Sequence, residues 1–228
     1  MTPLPPARPS WRVVVAGAAL LAGCASGPPT PDWQGSAKTA VDSTVRAALV
    51  GDSRLEAREF ERARDELART GRPDWMARAE LMRCAAHTAS LAFEPCAGFE
   101  RWRSDAAAPE LAYAEHLAGR SLARDDIARL PAAQQAAAAA IAGGAASTAN
   151  PRAIDDPLSR LIAVALLFHA GKASPEMIEV AAETASAQGW RRPLLAWLQV
   201  QALRAEQAGA TQEGQRLRRR IELVQGGK

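Results

Sequence analysis

The sequence predicts an all-α protein, on three observations. Alanine is abundant and no stretch keeps the period-two alternation of a strand. Several windows space apolar residues by steps of three and four, which collects them on one helix face. Proline and glycine punctuate the C-terminal part in the order expected at helix starts and helix ends.

Ser36 is placed to cap a first helix running to about Val50, which Gly51 ends. A second runs from about Ser53 to Arg69 with Phe60, Ala63 and Leu67 as its apolar stripe, and Gly71-Arg72-Pro73 stops it. The third has Asp74 as its expected N-cap. Trp75, Ala79, Met82, Ala86, Ala89 and Phe93 then share one face, and Ala77, Leu81, Cys84 and Leu91 lie nearly opposite. A helix apolar on two sides is sandwiched, so this one is expected at the centre of the first half. Shorter helices follow near 97–103, 109–118 and 124–130, and another starts at Pro131. The run 136–146, AAAAAIAGGAA, has high helix propensity but little side-chain area to bury. Gly143, Gly144 and the polar run to Pro151 read as a hinge between halves 36–148 and 151–228.

Beyond the hinge the rhythm is regular. One helix starts at Pro157 after Asp156 and ends at Gly171; the next starts at Pro175 after Ser174 and ends at Gly189. A third starts at Pro193 and ends at Gly209, and the last runs from Thr211 to about Gln225. Pro157 and Pro193 are 36 residues apart, and Gly171 and Gly209 are 38 apart. Two helices per unit at this period resembles the tetratricopeptide family, as do Phe60 and Ala63 ahead of Gly71. The family's Trp, Gly-Tyr and closing Pro positions are not matched in order. The resemblance implies stacked helical hairpins, a TPR-like solenoid; an irregular helical bundle is the other arrangement the pattern allows.

The N-terminus carries a different signal. Arg8 and Arg12 precede the apolar run 13–22, VVVAGAALLA, which is too short to span a bilayer and fits the core of an export signal. Leu21-Ala22-Gly23-Cys24 then resembles the lipobox of bacterial lipoproteins. That resemblance implies a signal peptide over 1–23, cleavage before Cys24, diacylglycerol on its sulfur and an acyl chain such as palmitate on its new amino group. Two or three chains anchor stably where one does not. Ala25 rather than Asp follows the cysteine, which by the same resemblance implies the outer membrane, facing the periplasm. Residues 24–35, rich in Pro, Gly and small side chains, read as a flexible tether to a helical domain at 36–228.

Charge and cysteine usage follow from this reading. The chain has 28 Lys+Arg and 25 Asp+Glu, and the signal removes two Arg and no acid, leaving 26 against 25. Without a strong basic field and with few aromatics, nucleic-acid binding is not expected. With Cys24 lipidated, Cys84 and Cys96 remain as a pair in an oxidising compartment, so a disulfide between them is the expected state. Two free thiols packed as small hydrophobes are the alternative.

No catalytic constellation stands out. His87, His116 and His169 are isolated in sequence, with no partner at zinc-ligand spacing, so no metal or other cofactor is expected beyond the lipid. Asp125-Asp126 and Asp155-Asp156 precede helices and read as N-caps rather than acid–base pairs. Glu59 and Glu80, the acids a helical transglycosylase would need in a cleft, fall on ordinary charged helix faces. The run Leu161–Phe168 reads as a core helix. Arg216, Arg218 and Arg219 form a basic run in the last helix; with Trp190 they are the candidate interaction surface, against the plainer reading of a solvated face and a packed elbow. The function expected is a lipid-anchored scaffold or adaptor for another envelope protein. An enzyme acting on peptidoglycan or lipid, and a carrier with an apolar pocket between the halves, are the alternatives.

Overall fold

The protein is described here by a computed structural model covering residues 31–143 and 149–226. The signal peptide, Cys24, the tether up to Thr30, and Gly144 with the first part of the hinge lie outside these residues. The described chain is all-α, with no strand among the described residues.

The helices are α1 (Asp32–Val50), α2 (Ser53–Ala68), α3 (Pro73–Thr88), α4 (Ala97–Glu100), α5 (Ala108–Leu117), α6 (Arg124–Arg129), α7 (Ala132–Ile141), α8 (Pro157–His169), α9 (Pro175–Ala187), α10 (Arg191–Gln207) and α11 (Thr211–Gly226). α1 begins four residues before Ser36, so Asp32–Gly35 belong to the helix rather than to the tether. α3 begins at Pro73 with Arg72 as its cap residue. Asp74 sits inside the first turn, where its carboxylate accepts hydrogen bonds from the Arg72 guanidinium at 2.8 and 2.6 Å. α3 also ends earlier than its apolar pattern suggests. Leu91 takes φ +61°, the left-handed conformation that glycine takes at the other helix ends, while the Ala92 N–H donates to the His87 carbonyl and closes the turn. Nothing local in the sequence signals that stop.

The C-terminal helices start and stop as their punctuation predicts. Asp156 accepts from the Ser159 N–H at 2.7 Å and Ser174 from the Met177 N–H at 3.3 Å, with proline in the first turn of each helix. Gly171, Gly189 and Gly209 have φ near +67°, and the N–H of the next residue returns to the carbonyl five positions back in each case. α10 is the exception: it begins at Arg191, so Pro193 stands inside the first turn rather than opening it. Asp125 and Asp126 likewise fall within the first turn of α6, where no side chain caps the helix.

Consecutive helices pack against each other: α1 on α2, α7 on α8, α8 on α9, α9 on α10 and α10 on α11. A solenoid unit touches only its sequence neighbours. Here α1 also lies on α10 and α3 on α8, which brings the first helices directly onto the last ones. One apolar core therefore serves both halves. It runs from Leu49 and Leu81 through Phe99, Leu117, Leu161 and Leu166 to Ile178, Trp197, Leu198 and Leu217. Every side chain from Leu161 to Leu167 is buried, so α8 is the inner helix, as its all-round apolarity predicts. α7 uses its alanines for close approach: Ala137, Ala138 and Ala140 are buried against α8 and its neighbours.

Candidate functional site

The Arg216–Arg219 run lies on α11, and the structure separates it from Trp190. Trp190 precedes α10 and packs against the main core, whereas Arg218 pairs with Glu206 near the opposite end of α10 at 2.5 Å. The sixteen positions between residues 190 and 206 correspond to about 24 Å of helix. Arg216 pairs with Glu213 at 2.6 Å. Arg219 is exposed and makes no ion pair among the described residues. Arg216, Arg219 and Leu223 are three and four positions apart, so they share one face of α11. Leu223 is 76% exposed, and Leu203 on the neighbouring α10 is 56% exposed. Sequence reasoning found the basic run but not these leucines, because each sits one position from a residue of the buried stripe.

A second cluster joins α2, α3 and α10. The Glu56 side chain is 3% exposed and accepts hydrogen bonds from Arg83 Nε at 2.8 Å and His87 Nε2 at 2.7 Å, while Arg192 Nη1 lies 3.5 Å away. Burial alone would raise its pKa, but the hydrogen bonds and charges of Arg83 and His87 win and hold it below the usual carboxylate value. The Arg192 guanidinium also donates to Ser53 Oγ at 2.9 Å. His87 is thus isolated in sequence but not in space; the 31 residues to Glu56 hide the pairing.

Glu80 corrects an expectation. It does not lie on an ordinary charged face: it is 7% exposed, one turn from Arg83, with its carboxylate pressed against Gly98 so that any side chain there would collide with it. Burial raises its pKa, and the nearby Arg64, Arg83 and Arg101 only partly oppose that. The reason is the Cys84–Cys96 disulfide, which folds the segment after Pro95 back over α3 and covers that flank. Glu80, Arg83, Cys84, His87, Glu94 and Gly98 line a recess of about 190 Å³. That is smaller than the cavities that usually enclose small molecules. Glu59 does lie on a charged face, beside Arg58 and Arg62.

His116 is fully buried. Its Nε2–H donates to Gln134 Oε1 at 3.3 Å, and Gln134 Nε2 donates to the Ser159 carbonyl at 2.9 Å, which links α5, α7 and α8. Nδ1 has no partner. Burial lowers the pKa of this imidazole to about 4, so it is neutral at physiological pH. His169 is exposed at the end of α8 and stacks on Phe93, ring centroids 4.2 Å apart. No group of three or more His, Cys, Asp or Glu side chains suited to a metal occurs among the described residues.

The surface also carries two apolar hollows. One, of about 320 Å³, runs between α1 and α3 over Ala37, Val41, Leu67, Trp75, Ala79 and Met82. The other, of about 520 Å³, lies between α7 and α8, where Ala133, Ala136, Ala137, Ile154, Ala163 and Leu167 face it. Compared with known proteins, the chain matches no family model, no curated protein and no solved structure.

Proposed function

We propose that this chain is a lipid-anchored envelope protein that works as a non-enzymatic adaptor, holding a helical body at the outer membrane and binding another envelope protein through its last hairpin. The anchoring half of this reading rests on the order of charge, apolar run, small residues and Cys24. The adaptor half rests on one observation: Leu203 and Leu223 stand 56% and 76% exposed on α10 and α11, the final pair of the stack. A terminal helical pair normally carries a polar outer face to keep a stack soluble. Here two large apolar side chains stand open, and Leu223 shares its face of α11 with Arg216 and Arg219, a combination suited to a protein surface with apolar and acidic groups.

The test is crosslinking in intact cells followed by gentle extraction, on wild type, on C24S and on L203E/L223E. Wild type is expected to carry a partner in its crosslinked product. L203E/L223E should lose that partner while staying folded and envelope-bound, and C24S should leave the membrane. A C24S variant that still sediments with the envelope would remove the anchor. A leucine variant that keeps every crosslink would remove the adaptor surface.

A second reading, an envelope enzyme acting on peptidoglycan or lipid, is favoured by Glu80 alone, a buried acid with a raised pKa. Peptidoglycan or phospholipid cleavage by the purified protein, abolished in E80Q, would replace the adaptor reading.

A further inference from the structure

We infer that the end of the domain holding Trp33 and Trp75 rests on the membrane interface, so that the body lies against the bilayer rather than standing off it. This inference rests on the lipid-anchor reading of Cys24. Trp33 opens α1 and Trp75 opens α3, and their rings meet with centroids 5.0 Å apart. α1 and α3 start at the same end because the short connections before and after α2 reverse the chain twice. Both rings are only partly buried, and Trp75 lines the 320 Å³ apolar hollow that continues along Ala37, Val41 and Ala79 to the exposed Met82.

Covalent geometry limits how far the start of α1 can stand from the lipid. From Cys24 to Asp32 the chain has eight residue steps, which span at most about 28 Å. A compact chain of this length measures about 40 Å across. The tether is therefore shorter than the body, and the end where α1 starts is held within reach of the acyl chains. Tryptophan rings favour that location, since they combine a large apolar face with an N–H that stays in the wet headgroup layer.

Charge has little part in the contact. The cations around the hollow already have carboxylates: Lys38 pairs with Asp42 at 2.5 Å, Arg72 with Asp74 at 2.6 Å and Arg78 with Glu110 at 2.5 Å. The attraction should therefore depend on the rings and not on anionic lipid.

The experiment uses the acylated protein, extracted from cells and reconstituted into phosphatidylethanolamine–phosphatidylglycerol vesicles with bromine on the acyl chains. Tryptophan fluorescence reports contact with the bromines. Quenching is expected in the wild type, to be mostly lost in W33F/W75F, to persist at high salt, and to weaken when bromine moves from near the headgroup to the chain end. W190F, altered away from this face, should quench like wild type. A protein that floats with the vesicles but is not quenched, or is quenched equally in W33F/W75F, or loses quenching at high salt, overturns the inference and leaves the anchor standing. A protein that does not float removes the anchor, and this inference with it.

Discussion

The two halves of the body are held together by different means. In α1–α7 the buried set includes Thr44, Glu56, Glu80, Thr88, Ser90, His116 and Gln134, and a disulfide ties α3 to the segment before α4. In α8–α11 Thr184 is the one buried polar side chain among the described residues, and the rest of the interior is Leu, Ile, Val, Ala and Trp197 with Pro193 and Gly214. The first half compensates for weak helix signals with charge-assisted hydrogen bonds and a crosslink. The second has side-chain caps on α8 and α9, large apolar side chains and no crosslink, and its charge-assisted tie is Arg160, which donates to the Ile154 carbonyl and to Thr184. Buried polar groups depend on protonation and redox state in a way that apolar burial does not. The first half should therefore carry almost all the sensitivity of the fold to acid and reductant.

The largest effect should come from His116. Its pKa is depressed to about 4 in the folded chain, against about 6.5 when unfolded. The unfolded state thus binds the proton first. Stability from this residue is complete above about pH 6.5 and declines as the pH falls toward 4, by roughly 3 kcal/mol in total. Chemical denaturation of wild type and H116Q across that window checks this. The slope should shrink in H116Q, and equal slopes would show that the imidazole does not couple to folding. Next comes the crosslink. Cys84 and Cys96 are 12 residues apart, and closing a loop of that size is worth about 3 kcal/mol at most. C84S/C96S should lose that much and should open α4 and the recess at Glu80 to hydrogen exchange, while amides of α8–α11 keep their relative order of protection.

The same contrast decides what was legible in the sequence. Helix boundaries from Pro157 onward, the start of α10 excepted, were readable because their causes are local: an Asp or Ser cap, a proline in the first turn, a glycine with positive φ. The early end of α3 was not, because Leu91 adopts a conformation its side chain disfavours and is held there by partners distant in sequence. Nor was the burial of Glu80, which depends on a disulfide folding another segment over it, or the meeting of Glu56 with residues 27, 31 and 136 positions away. The basic run on α11 was visible by composition. Leu203 and Leu223 were not, since exposure of a leucine beside an apolar stripe is set by how neighbouring helices are rotated.

A smaller effect is expected at Glu56, the joint between the halves. Arg83, His87 and Arg192 are 38%, 31% and 26% exposed, so each stays partly hydrated when its partner is removed. E56Q should therefore cost about 2 kcal/mol, below the 3–5 kcal/mol of breaking a fully buried pair. The depressed pKa gives this term a sign: it is present above the ordinary carboxylate pKa and is lost as the pH falls through the lower folded value. Thermal denaturation at neutral pH measures the cost. A loss under about 0.5 kcal/mol would mean that the cluster adds little to the joining of α2 and α3 with α10.

The smallest effect should lie in the second half and should differ in kind. Asp156 and Ser174 each satisfy one N–H at a helix start that water can also reach, because the residues before Pro157 and Pro175 are at or near the surface. D156A and S174A should therefore cost about 1 kcal/mol apiece. Asp156 accepts at 2.7 Å and carries a charge beside the positive end of α8, whereas Ser174 accepts at 3.3 Å and is neutral, so D156A should be the costlier of the two. The two sites lie on different helices, so the double variant should show the sum of the singles within about 0.5 kcal/mol. If the sum fails, or if D156A approaches the cost of E56Q, then α8–α11 also depends on polar ties and the division between the halves is weaker than their interiors suggest.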